Sequence, residues 1–208
     1  DLVDLAPRAT GTVGGERAAA YVADRFTRAG LSDVHEMNVG SYAWRATRCH
    51  LEVPGLDLPG LDLPGMAVDC SPILHSALPT HDTVGTLIDE PVKAEVIDIG
   101  DDKVAGHDVR GKIVLFDLTF DMTLAHLLPV TEYIHDPGRK VLRHDVLGSR
   151  NPYITSLTRV ARDAAEAGAV AMIGVLRDYP ESLSYHNEYY RRTLLKLPGV
   201  WITRSGGS

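Results

Sequence analysis

Gly111-Lys112-Ile113-Val114-Leu115-Phe116-Asp117, read with Asp163-Ala164-Ala165-Glu166-Ala167-Gly168-Ala169-Val170-Ala171-Met172-Ile173-Gly174, decides the fold. The first stretch is a short apolar run behind a glycine, the pattern of a buried strand. The second is the alanine-rich end of a helix, a glycine stop and another apolar run. Together they predict strand, long connection, helix, strand, and so an α/β (α+β) fold. Lys112 is expected to face solvent while Ile113, Val114 and Leu115 fill a core. Gly168 is expected to let the helix end tightly. These are folding roles, and none is catalytic.

Working outward, residues 92–99 alternate partially and residues 84–89 are strand-like. Residues 154–167 place Ile154, Leu157, Ala161 and Ala165 on one helical face. Residues 169–176 form a buried strand, and residues 198–203 a last short one. Between them lie two polar connections, 118–152, rich in His, Asp, Pro and Gly, and 177–196, rich in tyrosine. Upstream, residues 12–30 carry the clearest helix. Thr12 caps it, Gly14 and Gly15 fall in its first turn, and Glu16 complements its dipole. Val22, Phe26 and Ala29 form its apolar face, joined by Ala18 and Ala19, and Gly30 stops it. Residues 34–39 and 42–53 read as two strands. Pro54-Gly55, Pro59-Gly60 and Pro64-Gly65 recur every five residues with Leu-Asp-Leu between, which reads as a chain of turns in an extended surface connection and as the natural domain junction.

The chain has 208 residues, 44% hydrophobic and 24% charged, an ordinary globular balance. Its net charge of −7 argues against a nucleic-acid surface, which needs clustered Lys and Arg, and against an anionic membrane. No run of apolar residues is long enough to span a bilayer. The first residues lack the basic and apolar regions of a signal peptide. Cys49 and Cys70 fit either one disulfide or two buried thiols, and no Cys-x-x-Cys is present for a zinc knuckle.

For chemistry, His-Asp occurs at 81–82, 107–108, 135–136 and 144–145. Most of these pairs fall in loops between strands, and Asp108 is expected to make a turn or a hydrogen bond before its strand. His126, His135 and His144 recur every nine residues, two and a half helical turns, which would set neighbours on opposite faces. No Gly-x-Ser-x-Gly elbow, Gly-x-Gly-x-x-Gly or phosphate loop appears. Arg8 reads as a structural clamp. The cluster Tyr185-His186-Asn187-Glu188-Tyr189-Tyr190-Arg191-Arg192 mixes aromatic faces with hydrogen-bonding groups, as recognition loops do. The substrate-binding candidates are therefore Tyr185, His186, Glu188 and Tyr189, with His126 and His135. No catalytic residue and no metal ligand is assigned in this chain.

Three sets of residues carry a family resemblance. Arg8-Ala9-Thr10-Gly11-Thr12, with the helix running to Gly30-Leu31, resembles the N-terminal region of co-catalytic zinc exopeptidases. That is the family of aminopeptidase Y and glutamate carboxypeptidase, with the transferrin receptor as a non-enzymatic relative. Many members insert a protease-associated domain before the catalytic core continues. Asp108-Val109-Arg110-Gly111-Lys112-Ile113-Val114-Leu115, then residues 164–173, then residues 197–203 resemble that insert. The resemblance implies a helix and strands of an incomplete peptidase core (1–53), the Pro-Gly connection (54–82), a β-rich protease-associated domain (83–204) and a linker (205–208). It implies a secreted or periplasmic zinc aminopeptidase or carboxypeptidase acting on a peptide or small-molecule substrate. It also implies that the loops of the insert act as lid and substrate selector. The family's zinc pair, about 3.5–4 Å apart, needs His-x-Asp and Glu-Glu. Neither occurs, and His50-Leu51-Glu52 and His186-Asn187-Glu188 are the nearest spacings. Zinc is thus expected in a catalytic half beyond this chain. The alternative is a non-catalytic protein- or ligand-binding module of the same architecture.

Overall fold

The computed structural model describes residues 1–9, 11–40, 44–58, 61–80, 85, 88, 90–101, 103–120, 123–140, 142–149, 155–177, 183, 185 and 195–207. They form two units, Asp1–Arg45 and Ala46–Ser208. The architecture is α/β: three α-helices and nine strands among the described residues.

In the first unit, a 3-10 turn (Val3–Leu5) precedes helix α1 (Val13–Arg28). Thr12 caps α1, its Oγ1 accepting from the Gly15 amide at 3.1 Å. Glu16 in the first turn and Arg25 and Arg28 in the last complement the dipole. A side chain at Gly14 would run into the carbonyl oxygens of Leu5 and Pro7, so only glycine lets the helix start this close to the preceding chain. Arg8 donates to the Leu2 carbonyl, the expected clamp. Gly30 sits at φ +83° just past the helix, where it stops it. Residues 34–39, read from sequence as a strand, are irregular. Met37 and Val39 are more than three-quarters exposed, and a strand with no neighbour to satisfy its backbone gains nothing from extension. Of residues 42–53, only Leu51–Val53 is a strand, with 42 and 43 outside the described residues.

In the second unit, the Pro-Gly stretch is built differently from a chain of turns. Strands β1 (Leu51–Val53), β2 (Leu56–Leu58), β3 (Leu61–Leu63) and β4 (Met66–Val68) pair as β1 with β4 and β2 with β3, both antiparallel. Leu51 faces Val68 and Val53 faces Met66; Leu56 faces Leu63 and Leu58 faces Leu61. Partner numbers add to the same total throughout, so one register runs the length of a single nested hairpin. The Pro-Gly steps interrupt this ladder without shifting it. Gly65 lies so close to the Gly55 amide that an added Cβ would sit 3.0 Å from it.

The main sheet has the order β5-β9-β8-β7-β6. Strands β6 (Val96–Gly100), β7 (Ile113–Asp117), β8 (Ala171–Val175) and β9 (Gly199–Ile202) are parallel, and β5 (Cys70–Pro72) closes one edge antiparallel to β9. The sheet thus takes its edge strand from upstream of residue 83, where the sequence reading begins this domain. Pro72 is tolerated there because an edge strand needs no donor on its outer side. The expected strand over 84–89 lies largely outside the described residues.

Helix α3 (Leu157–Glu166) covers one face of the sheet with Leu157, Val160, Ala161 and Ala164, all buried. Gly168 at φ +87° ends it, and the Gly111 amide donates to the Gly168 carbonyl at 2.8 Å, joining the starts of β7 and β8. That face holds Val114, Phe116, Met172 and Trp201. Phe116, Gly174 and Trp201 occupy one row across β7, β8 and β9. Glycine in the middle of that row admits the Trp201 ring, and a Cβ there would overlap it. Gly199 plays the same part between Met172 and Ile73. The opposite face, with Ile113, Leu115, Ile173, Val175, Val200 and Ile202, is packed by Leu51 and Val68 at the hairpin base. Lys112 is only a quarter exposed and pairs with Glu95 at 3.4 Å.

Candidate functional site

In a parallel sheet, the carboxyl ends of the strands are where connections diverge and where sites form. Here both long polar connections leave from that end. The first starts after Asp117, the last residue of β7, and the second after Val175, the last of β8. Arg177 Nε lies 2.5 Å from Asp117 Oδ2, tying the two starts together. Asp117 is 13% exposed and Arg177 48%, so the pair is shielded on the acid side and open on the base side. The bond and charge of Asp117 hold the guanidinium firmly protonated, and the charges of Asp98 and Asp101 add to this. Asp98 in turn accepts from the Gly100 amide at 2.8 Å. Nothing in the sequence alone gives a role to Asp117, Arg177, Asp98 or Asp101. The available signal was an aspartate closing one apolar run and an arginine just after another.

The first connection is stitched at its neck. Phe120 bridges Thr155, the Ser156 amide donates to the Thr119 carbonyl at 3.0 Å, and the Thr119 amide donates to Ser156 Oγ at 3.1 Å. Farther out, the Leu124 amide donates to the Ser149 carbonyl at 3.0 Å. The segment is therefore a closed excursion whose ends meet, carrying a 3-10 stretch (Leu124–Val130) and the short helix α2 (His144–Leu147). Ser156 is buried with its hydroxyl engaged by backbone, which removes it as a nucleophile.

His126 and His135 both lie on this excursion and both are exposed. His126 Nδ1 lies 2.9 Å from Thr123 Oγ1 and accepts from the Thr123 amide, capping the 3-10 stretch. His135 Nδ1 is 3.3 Å from the Tyr133 hydroxyl. Asp136 accepts from the Lys140 and Leu142 amides at 2.7 and 3.1 Å, and Asp145 is held by Arg143 at 2.8 Å. These aspartates organise their own loops. His50 Nε2 and Glu52 Oε1 are 2.8 Å apart on the surface. No group of three or more His, Cys, Asp or Glu suited to a metal occurs among the described residues.

Tyr185 is in the core. It is 7% exposed, packs edge-on against Trp201 at 5.1 Å, and sets its hydroxyl 3.3 Å from Thr155 Oγ1. It anchors the second connection to the sheet as Thr155 and Ser156 anchor the first. Ser71 adds a further tie, donating to the Leu183 carbonyl at 2.7 Å. His186, Glu188 and Tyr189 lie outside the described residues. The first unit has a cleft of about 280 Å³ whose lining includes Asp4, Thr12 and Arg17, with no nucleophile–base pair in it. No described helix is long and apolar enough to cross a membrane. No family model, no curated protein and no solved structure matches this chain.

Proposed function

We propose that this chain is the N-terminal and protease-associated portion of a zinc-dependent aminopeptidase- or carboxypeptidase-like hydrolase, in which it serves as lid and substrate selector. The observation that carries the reading is that no described residue of Asp1–Arg45 is buried, although α1 has an amphipathic face. Phe26 on that face is 49% exposed. A helical unit without a core gains its stability from a surface it docks on. In the reading, that surface is a catalytic domain. The second unit supports the lid role, because both polar connections leave the sheet from one end.

Zinc would sit in the catalytic domain and polarise the scissile carbonyl. The contribution of this chain is to bind and orient the peptide through residues 118–152 and 177–196. Two experiments test the proposal. Purified 1–208 is expected to show no turnover of aminoacyl or peptide substrates with added zinc, and zinc-dependent turnover would overturn it. The parent gene is expected to encode His-x-Asp and then Glu-Glu beyond residue 208, and a continuation without them would overturn the enzymatic reading.

A further inference from the structure

Cys49 and Cys70 are the two cysteines of the chain, and their Sγ atoms lie 3.3 Å apart as free thiols. The hairpin register places them there. Leu51 faces Val68 in the last pair of the hairpin ladder, and Cys49 and Cys70 each stand two residues beyond that pair. Cys70 is also the first residue of β5, paired with Ile202, and packs with Leu51 and Val68 on the second face of the sheet. Facing residues of an antiparallel ladder bring their Cβ atoms near the separation a disulfide requires. Both thiols are half-buried, so a small reagent reaches them and a second protein does not easily do so.

We propose that Cys49 and Cys70 are a redox modification site: a small disulfide of the oxidised-glutathione class converts them to a reversible internal disulfide that pins the hairpin in register. One cysteine, as thiolate, attacks the small disulfide, forms a mixed disulfide and releases a thiolate that takes up a proton. The second cysteine loses its proton, attacks the protein sulfur of that mixed disulfide and releases the second small thiol. Two protein S–H bonds and one reagent S–S bond become one protein S–S bond and two reagent S–H bonds. Burial, aided by the hydrogen bond and charge of Cys70, pushes the Cys49 thiol up to about 12.

The five-residue repeat gives the bond a purpose. Arms meeting at Pro54-Gly55 would set Cys49 opposite residue 60, and arms meeting at Pro64-Gly65 would set Cys70 opposite residue 59. Only the observed register brings sulfur to sulfur, so the disulfide selects one of three pairings that the repeat makes locally similar.

The test is intact-mass spectrometry and thiol titration of the folded chain after exposure to oxidised glutathione. The expected product is monomeric, lighter by two hydrogens, free of titratable thiol, and restored by dithiothreitol. A persistent glutathione adduct, unreacted thiols or a disulfide-linked dimer would overturn the proposal. Cys49→Ser and Cys70→Ser are each expected to retain one glutathione, because no second thiol is left to displace it. Loss of the adduct from either variant without added reductant would overturn the internal exchange. Amide exchange across residues 51–68 is expected to slow in the oxidised form, and unchanged exchange would overturn the register pin.

Discussion

Replacing Gly174 by alanine tests the packing argument by its sign. In a strand interior, a Gly→Ala change is ordinarily stabilising by about 0.5–1 kcal/mol, because alanine has less backbone freedom to lose. Here the added methyl would overlap the Trp201 ring and sit 3.1 Å from Phe116 Cζ. Neither ring has room to retreat, since Trp201 and Phe116 are both fully buried. Overpacking of this kind costs about 1–3 kcal/mol, and the immobile neighbours put Gly174→Ala near the upper end. For a unit of this size each kcal/mol lowers Tm by about 2–4 °C, so a fall of about 6–12 °C is expected in thermal melts followed by circular dichroism. Gly138→Ala is the control. Its Cβ would meet only the Lys140 side chain, at 3.5 Å or more, and it should shift stability by less than about 0.5 kcal/mol. Trp201→Phe should relieve part of the clash, so the double variant should be less damaged than the two single changes added together. An unchanged or raised Tm for Gly174→Ala would refute the reasoning.

Two further changes probe the site and its surroundings. Asp117→Asn removes the charge held against Arg177 and should lower stability by about 1 kcal/mol, a modest figure because Arg177 is half-exposed; amide exchange should quicken at the two connection starts, and no change in either would show that the pair does not tie them. Burial lowers the affinity of His75 for its proton below the ordinary 6.5. The unfolded chain therefore takes up that proton first, and the contribution of His75 to stability is complete above pH 6.5 and is lost as pH falls through the lowered value. Denaturant titrations across that range should show the loss, and His75→Asn, which tolerates the φ of 60° at this position, should flatten it.

The parallel core was legible because its signals are local. Apolar runs at 113–116 and 169–176 behind glycines contain most of β7 and all of β8, and Gly168 takes the positive φ expected of a helix stop. The hairpin was hidden because Pro-Gly favours turns and three-residue strands are too short for alternation to show. The clue lay in symmetry: Leu51 and Val68, and Cys49 and Cys70, are equidistant from the centre of the repeat. The edge strand at 70–72 was missed because a proline within three residues argues against a strand anywhere but at an edge. Tyr185 read as a surface aromatic because nothing in its neighbourhood in sequence announces Trp201. The Asp117–Arg177 pair joins residues sixty positions apart, a distance over which only topology brings groups together.

The fixed total of partner numbers along the hairpin also governs how its length can vary. Two residues separate Leu58 from Leu61, and an odd total is what keeps an even-sized tip. Removing one five-residue repeat would make that total even, so the chain would have to give up either its two-residue tip or the pairing of Val53 with Met66. Removing residues 56–65, two repeats at once, leaves Pro54-Gly55 between Val53 and Met66 and disturbs nothing below them. Growth and shortening of this arm are thus quantised in steps of ten residues, and homologues should carry one, three or five Pro-Gly steps but not two or four.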